Sequence, residues 1–220
     1  MTRIEGAQAK WNKPLLRVVY WMTRRHIRGI TERETERAIE PAEVYGHLPG
    51  LLIGYGMFVS AAERTGRVDQ CLKGLATVKA ATLTHCEYCI DIASSAARKA
   101  GLSDAQLLAL PHYRESDRFN DLEKLVLDYA VGMTRTPVKV PDELFAALRE
   151  HFDERQLVEL TSAIAIENLH ARFNAALDIG AAGFTDGMVC AVPDTSLGSS
   201  APEKHAVEPG RLPSGSPVAT

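Results

Sequence analysis

Cys86 and Cys89 form a Cys-x-x-Cys pair that is entered from one helical stretch and leads into another, and nothing else in the chain limits its fold as much. A thioredoxin-like chain would need a β-strand running into such a pair. The residues before it, Leu72-Lys73-Gly74-Leu75-Ala76-Thr77-Val78-Lys79-Ala80-Ala81, read as helix instead. That fold is disfavoured, and a helix–dithiol–helix arrangement takes its place.

The other ordered segments also read as helix. Asn12 is placed to cap a stretch with Pro14 near its first turn, running through Leu15, Leu16, Val18, Val19, Trp21 and Met22 to Ile27. Its far end carries Arg24, Arg25, His26 and Arg28, cations at the negative end of the helix dipole. Pro49 opens a second helix through Leu51, Leu52, Tyr55, Phe58 and Val59 that stops near Gly66, and Leu72 to Leu83 forms a third. The dithiol helix runs from Glu87 to a stop at Gly101. Ser103-Asp104-Ala105-Gln106 is a capping box that starts a short helix ending before Pro111. Leu122, Leu125, Val126, Tyr129 and Met133 make a helical stripe, and Pro141 starts the next helix. Asp153-Glu154-Arg155-Gln156 begins the longest one, expected to reach about Ile179 before the glycines at 180, 183 and 187.

The expected fold class is all-α. With 220 residues, 45% of them apolar and 24% charged, the chain is long enough for one well-buried domain. From about Val192 the composition turns to Pro, Ser, Gly and scattered charge, which cannot offset chain entropy by burial, so a disordered tail is expected. Three parts result: an N-terminal helical extension over 1–44, the main helical domain over 45–190, and the tail over 191–220.

A net charge of −3 gives no general attraction to nucleic acid, and Arg24-Arg25 lacks the wider basic patch of a nucleic-acid surface. No apolar run is long enough to span a bilayer, and Met1-Thr2-Arg3-Ile4-Glu5 lacks the features of a secretory signal. A cytoplasmic location and no membrane partner are expected. Four cysteines with one close pair do not make a disulfide scaffold, so the pair reads as redox-active or metal-binding. A zinc site needs about four ligands. The pair supplies two, His85 is too near in sequence to complete the set easily, and Cys71 is the other nearby thiol. Glu167-x-x-His170 matches half of a di-iron signature whose other half is absent from the sequence. No metal and no other cofactor are expected.

Thr84 and Glu87 have the spacing of a capping box with Thr84 as N-cap, which would set Cys86 in the first turn beside unpaired N–H groups. A thiolate is stabilised there. On this reading Cys86 is the exposed nucleophile and Cys89 the resolving thiol. The blander alternative is two small residues that simply pack in a helix. Asp91 could accept a proton if it turns inward, or be a favourable first-turn carboxylate. His85 could hold positive charge near Cys86, or be an exposed turn residue. Glu167, His170 and Asn174, at i, i+3 and i+7, form one polar stripe on an otherwise apolar helix. Glu167 and His170 could serve as an acid/base pair in a cleft, or as a hydrogen-bonded pair at a subunit interface. Cys71 and Cys190 read as bystanders.

The stretch Leu72 to Gly101, with Cys86-Glu87-Tyr88-Cys89-Ile90-Asp91-Ile92-Ala93-Ser94-Ser95, resembles the core of the carboxymuconolactone decarboxylase and alkylhydroperoxidase D-like family. Ile166-Glu167-Asn168-Leu169-His170-Ala171-Arg172-Phe173-Asn174 and Leu51-Leu52-Ile53-Gly54-Tyr55-Gly56 resemble it too, and the likeness covers about residues 45 to 187. The resemblance implies an all-helical fold, homo-oligomers of three or six chains, and disulfide-reductase or peroxidase-like chemistry. It also implies that the second cysteine is the peroxidatic one, the reverse of the dipole reading. A relay His is implied four residues after the second cysteine, where this chain has Ala93, and a relay Glu twelve before the first, where it has Gly74.

Three functions follow as expectations. The first is a thiol–disulfide oxidoreductase with alkylhydroperoxidase-like activity through Cys86 and Cys89, taking a peroxide or disulfide substrate and a thiol reductant. The second is a non-enzymatic redox sensor or assembly module, which loss of both relay residues favours. The third is a lactone decarboxylase, against which retention of the dithiol argues.

Overall fold

Helix α4 (Gln70–Thr84) is the axis around which the other helices pack. Asp69 starts it, its carboxylate accepting the N–H groups of Cys71 at 2.9 Å and Leu72 at 3.2 Å. Leu75, Ala76, Val78, Ala80 and Ala81 are buried along its length, so apolar residues face every direction and neighbours can close on all sides. Helix α5 (Glu87–Lys99) packs on one flank, α7 (Asp121–Thr134) and α9 (Glu154–Ala176) on the others.

The computed structural model describes residues 2–9 and 13–195. The remaining helices are α1 (Pro14–Ile30), α2 (Glu40–Tyr45), α3 (Pro49–Glu63), α6 (Asp104–Ala109) and α8 (Asp142–His151), with a single 3-10 turn at Leu110–His112. No strand occurs among the described residues. The all-α reading therefore holds. Asn12 and residues 196–220 lie outside the described residues, and with them the expected first cap and most of the expected tail.

Two apolar clusters make the core. One joins Leu16, Tyr20 and Ile27 of α1 with Ile39, Leu75, Val78, Cys86, Cys89 and Phe184. The segment before residue 45 thus shares the core of the main domain. The other joins Val126 and Tyr129 of α7 with Leu148, Leu160 and Ile164, and α4 separates the two. The two buried lysines are paired: Lys73 Nζ lies 2.6 Å from Glu159, and Lys79 bonds the Asp194 carboxylate and the Leu110 carbonyl. Asp194 and Ala191 are buried, so the chain at 191–195 packs on α4 and α5 where composition placed the start of a tail.

Other departures are local. The short helix α2 was not expected, because its six residues are too few to show a period. Helix α9 ends at Ala176 rather than near Ile179. Helix α3 is apolar as expected, yet Leu51, Met57 and Phe58 face outward and Leu52 alone is buried. Helix α1 likewise exposes Leu15, Val18, Trp21 and Met22. Among the described residues no helix is long and apolar enough to cross a membrane.

Candidate functional site

The turn between α4 and α5 sets the geometry of the dithiol. Thr84 remains the last residue of α4, and its hydroxyl donates back to the carbonyls of Ala80 and Ala81 at 3.0 Å each. His85 then takes the left-handed region at φ 56° and reverses the chain. Cys86, not Thr84, becomes the N-cap of α5, its Sγ accepting the Cys89 N–H at 3.3 Å. The expected capping box fails because the Thr84 side chain is already spent on its own helix. Cys86 and Cys89 are closed as a disulfide with their Cα atoms 5.2 Å apart. Each is 2% exposed, so the expectation of an exposed Cys86 is corrected: both cysteines lie in the first core cluster, with Asn174 of α9 against both sulfurs.

Helix α9 brings one side chain directly onto the sulfurs. Asn174 Nδ2 donates toward Cys89 Sγ at 3.5 Å and Cys86 Sγ at 3.8 Å, and the residue is 2% exposed. One turn back, His170 Nδ1 lies 3.8 Å from Glu167 Oε2, the outer range of an ion pair. Glu167 is 8% exposed, and its Oε1, like Asn174 Oδ1, is buried without a hydrogen-bond partner. Unpaired buried acceptors are rare in a folded chain and mark this stripe as unusual.

An aromatic cluster flanks the stripe. The His170 ring meets Tyr55 of α3 edge-on, with centroids 5.6 Å apart. Tyr55 stacks on Tyr45 at 4.8 Å, and Tyr45 on Phe173 at 4.0 Å. Burial, reinforced by Tyr45 and the Glu167 carboxylate, pushes the Tyr55 phenol well above its ordinary range. Tyr45, Tyr55 and Phe173 were not expected at a site. Their spacing gives no signal, since they come from three helices.

Asp91 does not turn toward the sulfurs as a free proton acceptor. Its Oδ2 accepts the N–H groups of Ala182, Gly183 and Phe184 at 2.9, 2.7 and 3.0 Å. Its Oδ1 accepts the N–H and the hydroxyl of Thr185. Gly183, at φ 90°, makes the turn that converges these donors. Asp91 is an anchor for the chain after α9. His85 is exposed and bonds the Asp194 carbonyl through Nε2 at 2.9 Å, which ties it to the same C-terminal segment.

Neither position where a relay was implied carries one: Gly74 is half-buried and Ala93 is buried. A Cβ on Gly74 would lie 3.4 Å from Cα and Cβ of Ala97, so α4 and α5 cross closely there. Ala93 is buried in the first core cluster. Among the described residues no three His, Cys, Asp or Glu side chains gather as a metal site.

The carboxymuconolactone decarboxylase family model matches residues 53–131, from α3 through α7 and across the dithiol. The Ile166–Asn174 segment lies beyond that span. The uncharacterized protein YnjA of Escherichia coli (strain K12) is 36% identical over 182 residues, 82% of this chain and 92% of the relative. Among solved structures, the apo debrominase Bmp8 superposes with a TM-score of 0.68 at 21% identity, covering 82% of this chain and 92% of its own. A protein of unknown function from Agrobacterium tumefaciens, suggested to be the antioxidant defence protein AhpD, gives 0.58 at 22% identity, covering 62% and 94%. At such identities the likeness is one of fold. The relationship to YnjA over nearly its whole length goes further, and with the match across the dithiol it establishes that the chain belongs to the carboxymuconolactone decarboxylase family.

Proposed function

We propose that the protein is a thiol–disulfide oxidoreductase with alkylhydroperoxidase-type activity. The observation that carries this reading is the Cys86–Cys89 disulfide capped by a helix N–H and met by the Asn174 amide, a setting built for sulfur that changes charge. In the reduced protein one thiolate attacks the terminal oxygen of a hydroperoxide, the O–O bond breaks, and the leaving alkoxide takes a proton to become an alcohol. The sulfenic acid so formed is attacked by the other thiol, water leaves, and the disulfide closes. A dithiol reductant then returns two electrons and two protons.

The N-cap position favours Cys86 as the thiolate, since its sulfur faces the positive end of α5. Glu167 and His170 are the acid/base pair in this reading, taking over from the relay absent at Gly74 and Ala93. The outward apolar faces of α1 and α3 support a homo-oligomer, a trimer or hexamer by resemblance, which sizing by light scattering tests.

The test is peroxide consumption with a dithiol reductant, comparing wild type with Cys86→Ser and Cys89→Ser. Turnover lost in both variants supports the reading; turnover retained in either sinks it. A second reading, a non-enzymatic redox sensor, is favoured by the burial of both sulfurs. It is distinguished by a change in oligomer size between oxidised and reduced protein without turnover.

A further inference from the structure

The Asn174 side chain is matched to a reduced pair better than to the disulfide it touches. Its Nδ2 points at both sulfurs, 3.5 Å from Cys89 and 3.8 Å from Cys86, while Oδ1 is buried with no partner. The reverse orientation would set that oxygen against sulfur lone pairs. Disulfide sulfurs offer no proton, so in the oxidised state the oxygen bears its desolvation cost without return.

Reduction changes both halves of this balance. A Cys86 thiolate, already held by the Cys89 N–H at 3.3 Å, is a stronger acceptor for Nδ2 than a neutral disulfide sulfur. The Cys89 S–H is a donor where none existed, beside the same amide, and a rotation about Cβ–Cγ presents Oδ1 to it.

We infer that Asn174 is a positioning residue that sets the redox poise of the dithiol, favouring the reduced pair over the disulfide. This rests on reading Cys86 and Cys89 as a working dithiol, and it holds whether or not a peroxide is the oxidant. It also assigns a purpose to a side chain that sequence spacing marked only as part of a stripe.

The reaction that reports it is protein disulfide plus dithiothreitol giving protein dithiol plus cyclic oxidised dithiothreitol, two electrons and two protons passing to the protein. The full chain is equilibrated in dithiothreitol redox buffers and its free thiols are labelled, for wild type and Asn174→Leu. In the variant the equilibrium constant for reduction is expected to fall about tenfold, roughly 30 mV toward more negative potential. A constant within twofold of wild type, or a rise, overturns the inference.

Because leucine could also loosen packing, melting of the oxidised and the reduced forms is compared in both proteins. The inference requires the reduced form to lose more stability than the oxidised form, and equal losses overturn it. A shifted equilibrium without peroxide turnover in wild type would remove the peroxidase reading and leave this one standing. Turnover with an unshifted equilibrium would do the reverse.

Discussion

Thr185 supplies two of the five hydrogen bonds that hold Asp91, its N–H at 2.8 Å and its hydroxyl at 2.7 Å from the same carboxylate oxygen. The contact spans the dithiol helix and the chain after α9, so Asp91 fastens residues 182–185 to α5. Asp91→Ala would leave four backbone N–H groups without their acceptor, and a loss of about 3 kcal/mol or more is expected in urea unfolding. Asp91→Asn should lose less, with turnover per folded molecule within a few-fold of wild type. A collapse of turnover at intact stability would mean that Asp91 acts as a base after all.

Glu159 is buried against Lys73 Nζ at 2.6 Å and accepts the Arg67 N–H at 2.7 Å. Glu159→Gln strands the ammonium, and a loss of about 3–5 kcal/mol is expected. Burial pushes the Glu159 carboxyl up, but Lys73 and the N–H groups of Arg67 and Val68 outweigh it and hold the carboxyl below its ordinary 4.5. With the folded value depressed, the contribution is complete above the unfolded value and disappears as pH falls through the folded one. Denaturant unfolding across the acid range should therefore show a shallower acid loss in Glu159→Gln than in wild type.

Glu167→Gln tests the acid/base pair. The substitution keeps the shape and removes the charge beside His170, and a fall in peroxide turnover of about a hundredfold is expected, as for loss of a general acid or base. The dithiothreitol equilibrium should stay within twofold, because Asn174 and not Glu167 touches the sulfurs. Steady-state kinetics on the variant that match wild type would reduce Glu167 and His170 to packing residues.

Gly74→Glu places a carboxylate at the position the family resemblance implies for the relay. A Cβ there would already touch Ala97 at 3.4 Å, so the longer side chain must find its way past α5, and overpacking of about 1–3 kcal/mol is expected, read as a lower melting temperature with no gain in turnover. A gain would show that α4 and α5 can separate at that point.

Much of the fold was legible because its signals are local. Ser103 with Gln106 forms the reciprocal capping box that its spacing announces, and Asp153 with Gln156 does the same at the start of α9. Each of these helix starts is decided within four residues. The same rule misled at Thr84, where the preceding helix had a competing claim on the hydroxyl and the left-handed turn at His85 came between. In α3 the apolar run announced a helix, but periodicity does not say which face meets the core, and Leu51, Met57 and Phe58 point away from it.

By itself the sequence determined the all-α class, most helix starts, and the Cys86–Cys89 pair at a helix head, since these depend on residues that are neighbours along the chain. Tertiary structure alone decided that Asp91 binds residues 182–185, that Asp194 returns to Lys79, and that Asn174 lies on the sulfurs. Those pairings join residues some 85 to 115 positions apart, as with Asn174 to Cys89 and Asp194 to Lys79. Their partners are chosen by how helices cross and where the chain returns, which no local period encodes.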